Sequence, residues 1–371
     1  MTDMFFYGTL RHVPLLECVL GRDASDLDVT AAELPGYVAR NGEAGLYPVL
    51  VAQGSGMAQG VLVRGLDGDA LARLNFYEGG FDYAVGAAAL SNGALAQVYL
   101  PSDAVEAEDG AWLFDAWCAK WAEMTVIAAR EAMSHFGRLS PQEMARQLPR
   151  MRARAWSQIL ARSGDHGDGV LHGAVDIRHH ARVYANFFAL DELQLRHETF
   201  DGGISEELDR AVFVNADATI VLPYDPVRDR VLLVEQVRMG PIVRRDPHVW
   251  QLEPVAGLVD PGEQPAETAH REAQEEAGLQ FRSLEDVGHC YASPAASTDF
   301  FHLYVGLCDL PDGTAGVAGK EDEGENIRSH VLSFEALMEM AEARRTVNAP
   351  LTLLTYWLAH HRARLRAGDV G

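Results

Sequence analysis

Glu272, Glu275 and Glu276 stand three and four residues apart, so on a helix their carboxylates share one face. Like charges so placed repel unless a cation sits among them, and hard oxygen donors suit Mg2+ or Mn2+. An exposed acidic helix face is the commoner reason for such a trio, but it does not explain the setting. Gly257 is followed after five residues by Glu263, and seven more lead to Arg271 and Glu272; Gly278 and Leu279 close the run. Ala266, Ala269, Ala273 and Ala277 recur at three or four residues, a small-residue stripe that predicts a closely packed helix. Gly278 would stop that helix in the left-handed conformation that glycine adopts at little cost.

The whole stretch 257–279 resembles the box of the Nudix hydrolases: a glycine, five residues, a glutamate, seven residues, then Arg-Glu, an apolar position, any residue, Glu-Glu, any residue, Gly and an apolar position. Ala273 is a small occupant of the first apolar position. The resemblance implies hydrolysis of a diphosphate linked to another group. The flanks are similar to the ADP-ribose pyrophosphatase branch, and to Nudix proteins linked to tellurite resistance. The matching segments are 200–202, 221–225, 235–238, 252–257, 292–294, 322–328 and 348–350. Pro254 and the basic loop 239–248 depart from that pattern.

Carried over residue by residue, the resemblance implies that Glu272, Glu275, Glu276 and the Ala256 carbonyl hold Mg2+ or Mn2+. Arg238 would grip a phosphate or the terminal ribose, since a guanidinium fork matches phosphate oxygens. Glu253 would contact the ribose or a water at the metal, and Arg271 would orient the box glutamates. Glu323 and Glu325, in the acidic loop before Ile327-Arg328, are the candidates for the proton acceptor of the attacking water. The implied substrate is ADP-ribose, cleaved to AMP and ribose 5-phosphate, by a homodimer. NADH, sugar nucleotides such as GDP-mannose, and binding of ADP-ribose without cleavage stay open as alternatives.

A second group of residues lies near the start. Tyr7-Gly8-Thr9-Leu10, Tyr47-Pro48 and the segment 74–83 resemble the γ-glutamylcyclotransferase-like (AIG2-like) fold over about residues 3–101. That resemblance implies a small β-barrel in which Tyr7, Gly8, Thr9 and Leu10 cradle a carboxylate and Glu78 moves a proton during cyclisation. Such an acid needs a sheltered pocket that lifts its pKa towards neutral. Asn75 stands where the family has an aspartate. A glutamate kept on a domain used for packing is the competing reading.

These groups must be positioned by more than one domain, as 371 residues suggest. The expected parts are a γ-glutamylcyclotransferase-like barrel over residues 1–102, a helical connector and linker over 103–169, and a Nudix α/β/α sandwich around a mixed sheet over 170–371. The overall class is α/β with α+β character. Trp112, Trp117 and Trp121 follow helical spacing and read as core. Pro149 is expected to interrupt the helices after Ser140, and 183–193 reads as one strand. Five scattered histidines (His166, His172, His179, His180, His197) read as loop and surface residues.

The formal net charge of −23 argues against nucleic-acid partners and makes local arginines necessary for an anionic substrate. Lysine occurs only at Lys120 and Lys320. Cys18, Cys118, Cys290 and Cys308 show no ligand spacing or disulfide framework, which fits a reducing cytoplasm. The start reads as no signal peptide, and no apolar run approaches the roughly 20 residues of a spanning helix.

Overall fold

The computed structural model describes residues 1–81, 83–102, 106–163, 173–318 and 326–368. The chain divides into two compact units, residues 1–164 and 165–371.

In the first unit, β1 (Thr2–Phe6), β2 (Asp28–Asn41), β3 (Pro48–Leu66), β4 (Tyr83–Ala89) and β5 (Leu95–Pro101) form a sheet ordered β2-β3-β1-β5-β4. The β1–β5 pair is parallel and the other pairs are antiparallel. Alternation along β1 sends Phe5 and Tyr7 into a core with Leu34, Leu50, Leu62 and Val98. Met4 and Phe6 face the helices α1 (Val13–Leu20), α2 (Gly68–Glu78), α3 (Phe114–Met133) and α4 (Pro141–Ser163). The short strand pieces expected near 36–37 and 60–64 are parts of the long β2 and β3. Gly36, at φ +83°, sits at a register shift between Pro35 and Tyr37 that lets the long β2 bend.

Two features of the helical region differ from the sequence reading. The α4 helix runs through Pro149 without a break. Met144, Leu148, Met151 and Ala155 are buried on both sides of the proline, so packing outweighs the lost backbone hydrogen bond. Ser140 and Glu143 open the helix as a reciprocal capping box. The second difference is that α3 and α4 do not stand apart as a connector. They belong to the first unit: Trp117 and Trp121 share a core with Met4, Phe6 and Leu74, and Arg154 pairs with Glu131 at 2.5 Å between the two helices.

In the second unit, β6 (Val175–Ala185), β7 (Ala189–His197) and β8 (Leu208–Val214) make an antiparallel three-stranded sheet. The expected strand 183–193 is broken by the β6–β7 turn, where the Asn186 N–H donates to the Phe188 carbonyl at 2.9 Å. The apolar Phe187 and Phe188 disguise that turn. A larger mixed sheet is built from β9 (Ala218–Asp225), β10 (Arg230–Val237), β11 (Trp250–Glu253), β12 (Val255–Leu258), β13 (Ser283–Tyr291), β14 (Phe300–Leu307), β15 (Val317–Ala318) and β16 (Ile327–Ser333). Its order is β13-β14-β9-β10-β16-β15, with β11 on β10 and β12 on β9; β14 and β9 run parallel.

Both faces of this sheet are covered. Ile220, Leu222, Tyr224, Val231 and Leu233 pack under α7 (Phe334–Glu342) and α8 (Ala349–Arg366), through Leu337, Leu351, Leu354 and Leu358. Val221, Leu232, Val234 and Val255 face Ala269 and Ala273 of α6 (Pro265–Ala277). The short α5 (Met239–Arg244) forms within the basic loop, where no helix was expected; Arg245 ends it at φ +64°. The result is a three-layer α/β/α arrangement. Among the described residues no helix is long and apolar enough to cross a membrane.

Candidate functional site

The α6 helix starts with Gln264 and Glu267 capping one another, has Pro265 in its first turn, and ends at Gly278 in the left-handed region at φ +63°. Its alanine stripe goes down onto the sheet, so Arg271, Glu272 and Glu275 are left on the flank beside β12 and the loop after it. Arg271 is the hub. Its Nε and Nη2 donate to the two carboxylate oxygens of Glu263 at 2.9 and 3.0 Å. Nη1 donates to Glu272 at 2.6 Å and Glu275 at 3.2 Å, and Nη2 also reaches the Leu258 carbonyl at 3.1 Å.

Burial acts against the Arg271 charge, but the Glu263 hydrogen bonds and the Glu272 carboxylate more than compensate and hold its pKa above the ordinary value. Glu263 responds in the opposite sense. Burial would raise its pKa, yet hydrogen bonds from Arg271 and the Thr268 hydroxyl, the latter at 2.7 Å, hold it low.

Glu276 is turned inward and is only 3% exposed; the Ala256 N–H donates to its Oε2 at 3.2 Å. Gly257 explains itself here. A Cβ at that position would lie 1.8 Å from Glu272 Oε1 and 2.0 Å from its Cδ. The backbone of β12 therefore leaves a cradle that a carboxylate fills, and only glycine permits it. As placed, among the described residues, no three acidic, histidine or cysteine side chains are gathered at metal-holding distance. Arg271 draws Glu272 and Glu275 to itself, while Glu276 is turned to Ala256. The donor chemistry itself, hard carboxylate oxygens from one helix flank beside a cradle kept open by Gly257, fits Mg2+ or Mn2+.

Glu253, at the end of β11, is buried and bridges two groups. Arg238 Nε donates to its Oε2 at 2.7 Å, and Asn348 Nδ2 donates to its Oε1 at 2.9 Å. Asn348 also caps α8, its Oδ1 accepting from the Leu351 N–H at 3.0 Å. Sequence reasoning found the cap and missed the amide contact with Glu253; nothing in the local sequence signals it. Glu323 and Glu325 lie outside the described residues.

In the first unit, Tyr7, Gly8, Thr9, Leu10 and Glu78 line one cavity of about 60 Å3, together with Tyr47, Tyr83 and Tyr99. Glu78 is the last residue of α2, a helix that Asp67 caps at its start by accepting from the Ala70 N–H at 2.8 Å. The Glu78 side chain is half-buried by surface, but tyrosine rings crowd it closely. Desolvation pushes its carboxyl up to about 7, against an opposing pull from the Arg152 charge. Tyr7, Tyr83 and Tyr99 are held above their usual range, first by burial and then by neighbours that include Glu78. The Tyr99 hydroxyl donates to Asn75 Oδ1 at 2.8 Å, so Asn75 helps to anchor the wall of this cavity.

A family model described as NUDIX domain matches residues 214–352, and one described as Gamma-glutamyl cyclotransferase, AIG2-like, matches residues 4–118. A protein of Escherichia coli (strain K12) named ADP-ribose pyrophosphatase is 38% identical over 190 residues, covering 51% of this chain and 90% of that protein. One of the same name from Haemophilus influenzae is 33% identical over 194 residues, covering 52% and 89%. A GDP-mannose pyrophosphatase of Yersinia enterocolitica is 31% identical over 161 residues, covering 43% and 83%. A solved structure of an ADP compounds hydrolase aligns with 55% of this chain and 100% of its own, at 21% identity and a TM-score of 0.39. The chain belongs to the Nudix hydrolases. It carries an AIG2-like domain ahead of the hydrolase domain.

Proposed function

We propose that the second unit hydrolyses the diphosphate of ADP-ribose to AMP and ribose 5-phosphate. The observation that carries this reading is the Gly257 cradle filled by Glu272 beside Arg271, Glu275 and Glu276, in a chain similar to proteins named ADP-ribose pyrophosphatase. Glu272, Glu275, Glu276 and the Ala256 carbonyl would hold Mg2+ or Mn2+, which supplies positive charge to the phosphate oxygens as the bond to the leaving group breaks. Arg271 holds Glu263, Glu272 and Glu275 in register. Arg238 would grip a phosphate or the terminal ribose, with Glu253 aiming it and Asn348 steadying Glu253.

Water adds to one phosphorus and the bridging oxygen leaves with the other half, so the water must give up a proton. Glu323 or Glu325 is the acceptor in this reading. One of Glu323→Gln and Glu325→Gln is expected to lower kcat by about 10²-fold or more with KM little changed, the usual worth of a general base. Full kcat in both single variants and the double variant would move the base elsewhere, with Glu275 the next suspect.

The substrate is tested with a panel of ADP-ribose, NADH, GDP-mannose and other sugar nucleotides, each with Mg2+, following release of the monophosphates. GDP-mannose is the favoured second reading, because relatives named for it are 31% and 30% identical over 161 and 138 residues. Binding of ADP-ribose without any hydrolysis would identify a sensor instead. We further propose a homodimer formed through this unit, working in the cytoplasm. Val175 and Ile177, two apart on β6 and paired with His197 and Leu195, are each more than half exposed and offer apolar surface on one face of the three-stranded sheet to a second copy.

For the first unit, a carboxyl with a pKa of about 7 can both take and return a proton at neutral pH, which suits cyclisation of a γ-glutamyl compound to 5-oxoproline. Glu78→Gln is expected to abolish 5-oxoproline formation. If the wild-type chain turns over no γ-glutamyl compound, the unit is a binding or packing module and the Nudix reading is untouched.

A further inference from the structure

Among the described residues, Thr125, Thr268 and Thr355 are the threonines buried within helices. A threonine so placed usually returns its hydroxyl to the carbonyl four residues back. Thr125 Oγ1 does so, donating to the Trp121 carbonyl at 2.8 Å, and Thr355 Oγ1 donates to the Leu351 carbonyl at 2.7 Å. Thr268 of α6, at 0% exposure, departs from that habit. Its hydroxyl donates instead to Oε2 of the Glu263 side chain, at 2.7 Å.

Glu263 belongs to the loop before α6, so its side chain is not fixed by the helix itself. Arg271 binds both of its oxygens, through Nε at 2.9 Å and Nη2 at 3.0 Å. The loop glutamate is thus clamped between two residues of α6 that stand three apart, Thr268 and Arg271. The remaining nitrogen of the fork, Nη1, donates to Glu272 at 2.6 Å and to Glu275 at 3.2 Å. A guanidinium is planar and rigid, so whatever holds one edge of the fork sets the direction of the other. The firm end of this chain of contacts is Thr268, which is β-branched, stiff at χ1 and enclosed on all sides.

We propose that the Thr268 hydroxyl is a positioning group for the hydrolysis: it sets Glu263, Glu263 sets Arg271, and Arg271 sets the Glu272 and Glu275 carboxylates that would take Mg2+ or Mn2+. The inference rests on the metal-dependent reading of this site and adds to it a residue that touches neither metal nor substrate. It also gives Glu263 a task distinct from that of the other box glutamates, since its oxygens are engaged by Arg271 and Thr268.

The test uses the full chain in two measurements: calorimetric titration with Mn2+ in the absence of substrate, and kcat and KM for ADP-ribose with Mg2+. Thr268→Val keeps the shape of the side chain and removes the hydroxyl. It should weaken Mn2+ binding and lower kcat by about tenfold each, as for loss of a hydrogen bond to a charged group, with KM little changed. Thr268→Ser does the reverse, keeping the hydroxyl and losing a buried methyl group. It should melt a few degrees lower, yet keep Mn2+ affinity and kcat within about twofold of the wild type. A threonine that only filled space would give the opposite order, with valine harmless and serine harmful. Thr355→Val removes a buried hydroxyl from the same unit and should match the wild type in both measurements. Wild-type Mn2+ binding in Thr268→Val, an equal loss in Thr268→Ser, or an equal loss in Thr355→Val would each overturn the proposal. Absence of ADP-ribose turnover in the wild type would remove the proposed substrate and leave the Mn2+ comparison to decide, whereas a wild type that takes up no Mn2+ would overturn this proposal too.

Discussion

Glu276→Gln should lower the kcat for ADP-ribose by at least about 10³-fold, roughly 4 kcal/mol of transition-state stabilisation. The substitution keeps volume, helix propensity and an oxygen that can still accept the Ala256 N–H, now bonded at 3.2 Å. What it withdraws is a negative charge from a buried position on α6. Thermal stability should therefore change by only a few degrees while turnover collapses, and that split is the point of the measurement. Steady-state kinetics with Mg2+ and a melting curve on the same sample decide it. Hydrolysis near the wild-type rate would remove Glu276 from the list of metal ligands.

Gly257→Ala should cost about 10²-fold in kcat, although alanine brings neither charge nor backbone strain. The glycine is not in the left-handed region, so the β12 backbone accepts a side chain. The difficulty is the contact: the new Cβ would sit 1.8 Å from Glu272 Oε1, 2.0 Å from Cδ and 2.5 Å from Cγ. The Glu272 side chain is the part that can yield. It would leave the cradle and loosen its 2.6 Å bond from Arg271, and a displacement of about 1 Å at a reacting site is enough for a loss of this size. The melting temperature should fall little. A variant with full kcat would mean that the position of Glu272 does not matter to the reaction.

The Nudix site was largely legible because its parts are local in sequence. Gly257, Glu263, Arg271 and the three glutamates fall within one loop and one helix, and the caps at Gln264 and Gly278 are local too. The α/β/α layering follows from residues of β9 and β10 that are apolar on both faces, such as Val221 beside Leu222. What sequence missed depends on contacts between distant segments. Asn348 was legible as a cap but not as the partner of Glu253, which lies 95 residues earlier. Pro149 read as a break because the buried stripe that carries α4 through it is a tertiary fact.

Gly80 is pressed onto α4, where a Cβ would meet the Pro141 carbonyl oxygen at 2.3 Å and the Ala145 Cβ at 2.5 Å, and this has a practical side for anyone who would cut or transplant the first domain. The AIG2-like match ends at residue 118, inside α3, and a fragment ending there would keep Phe114 and Trp117 but lose Trp121, Met124, Met144 and Met151. The same apolar surface of α1 and α2 would then face water, and the fragment would be prone to self-association. The natural seam is at residue 164, beyond the last turn of α4. What travels as a module in this chain is longer than the homology that reveals it.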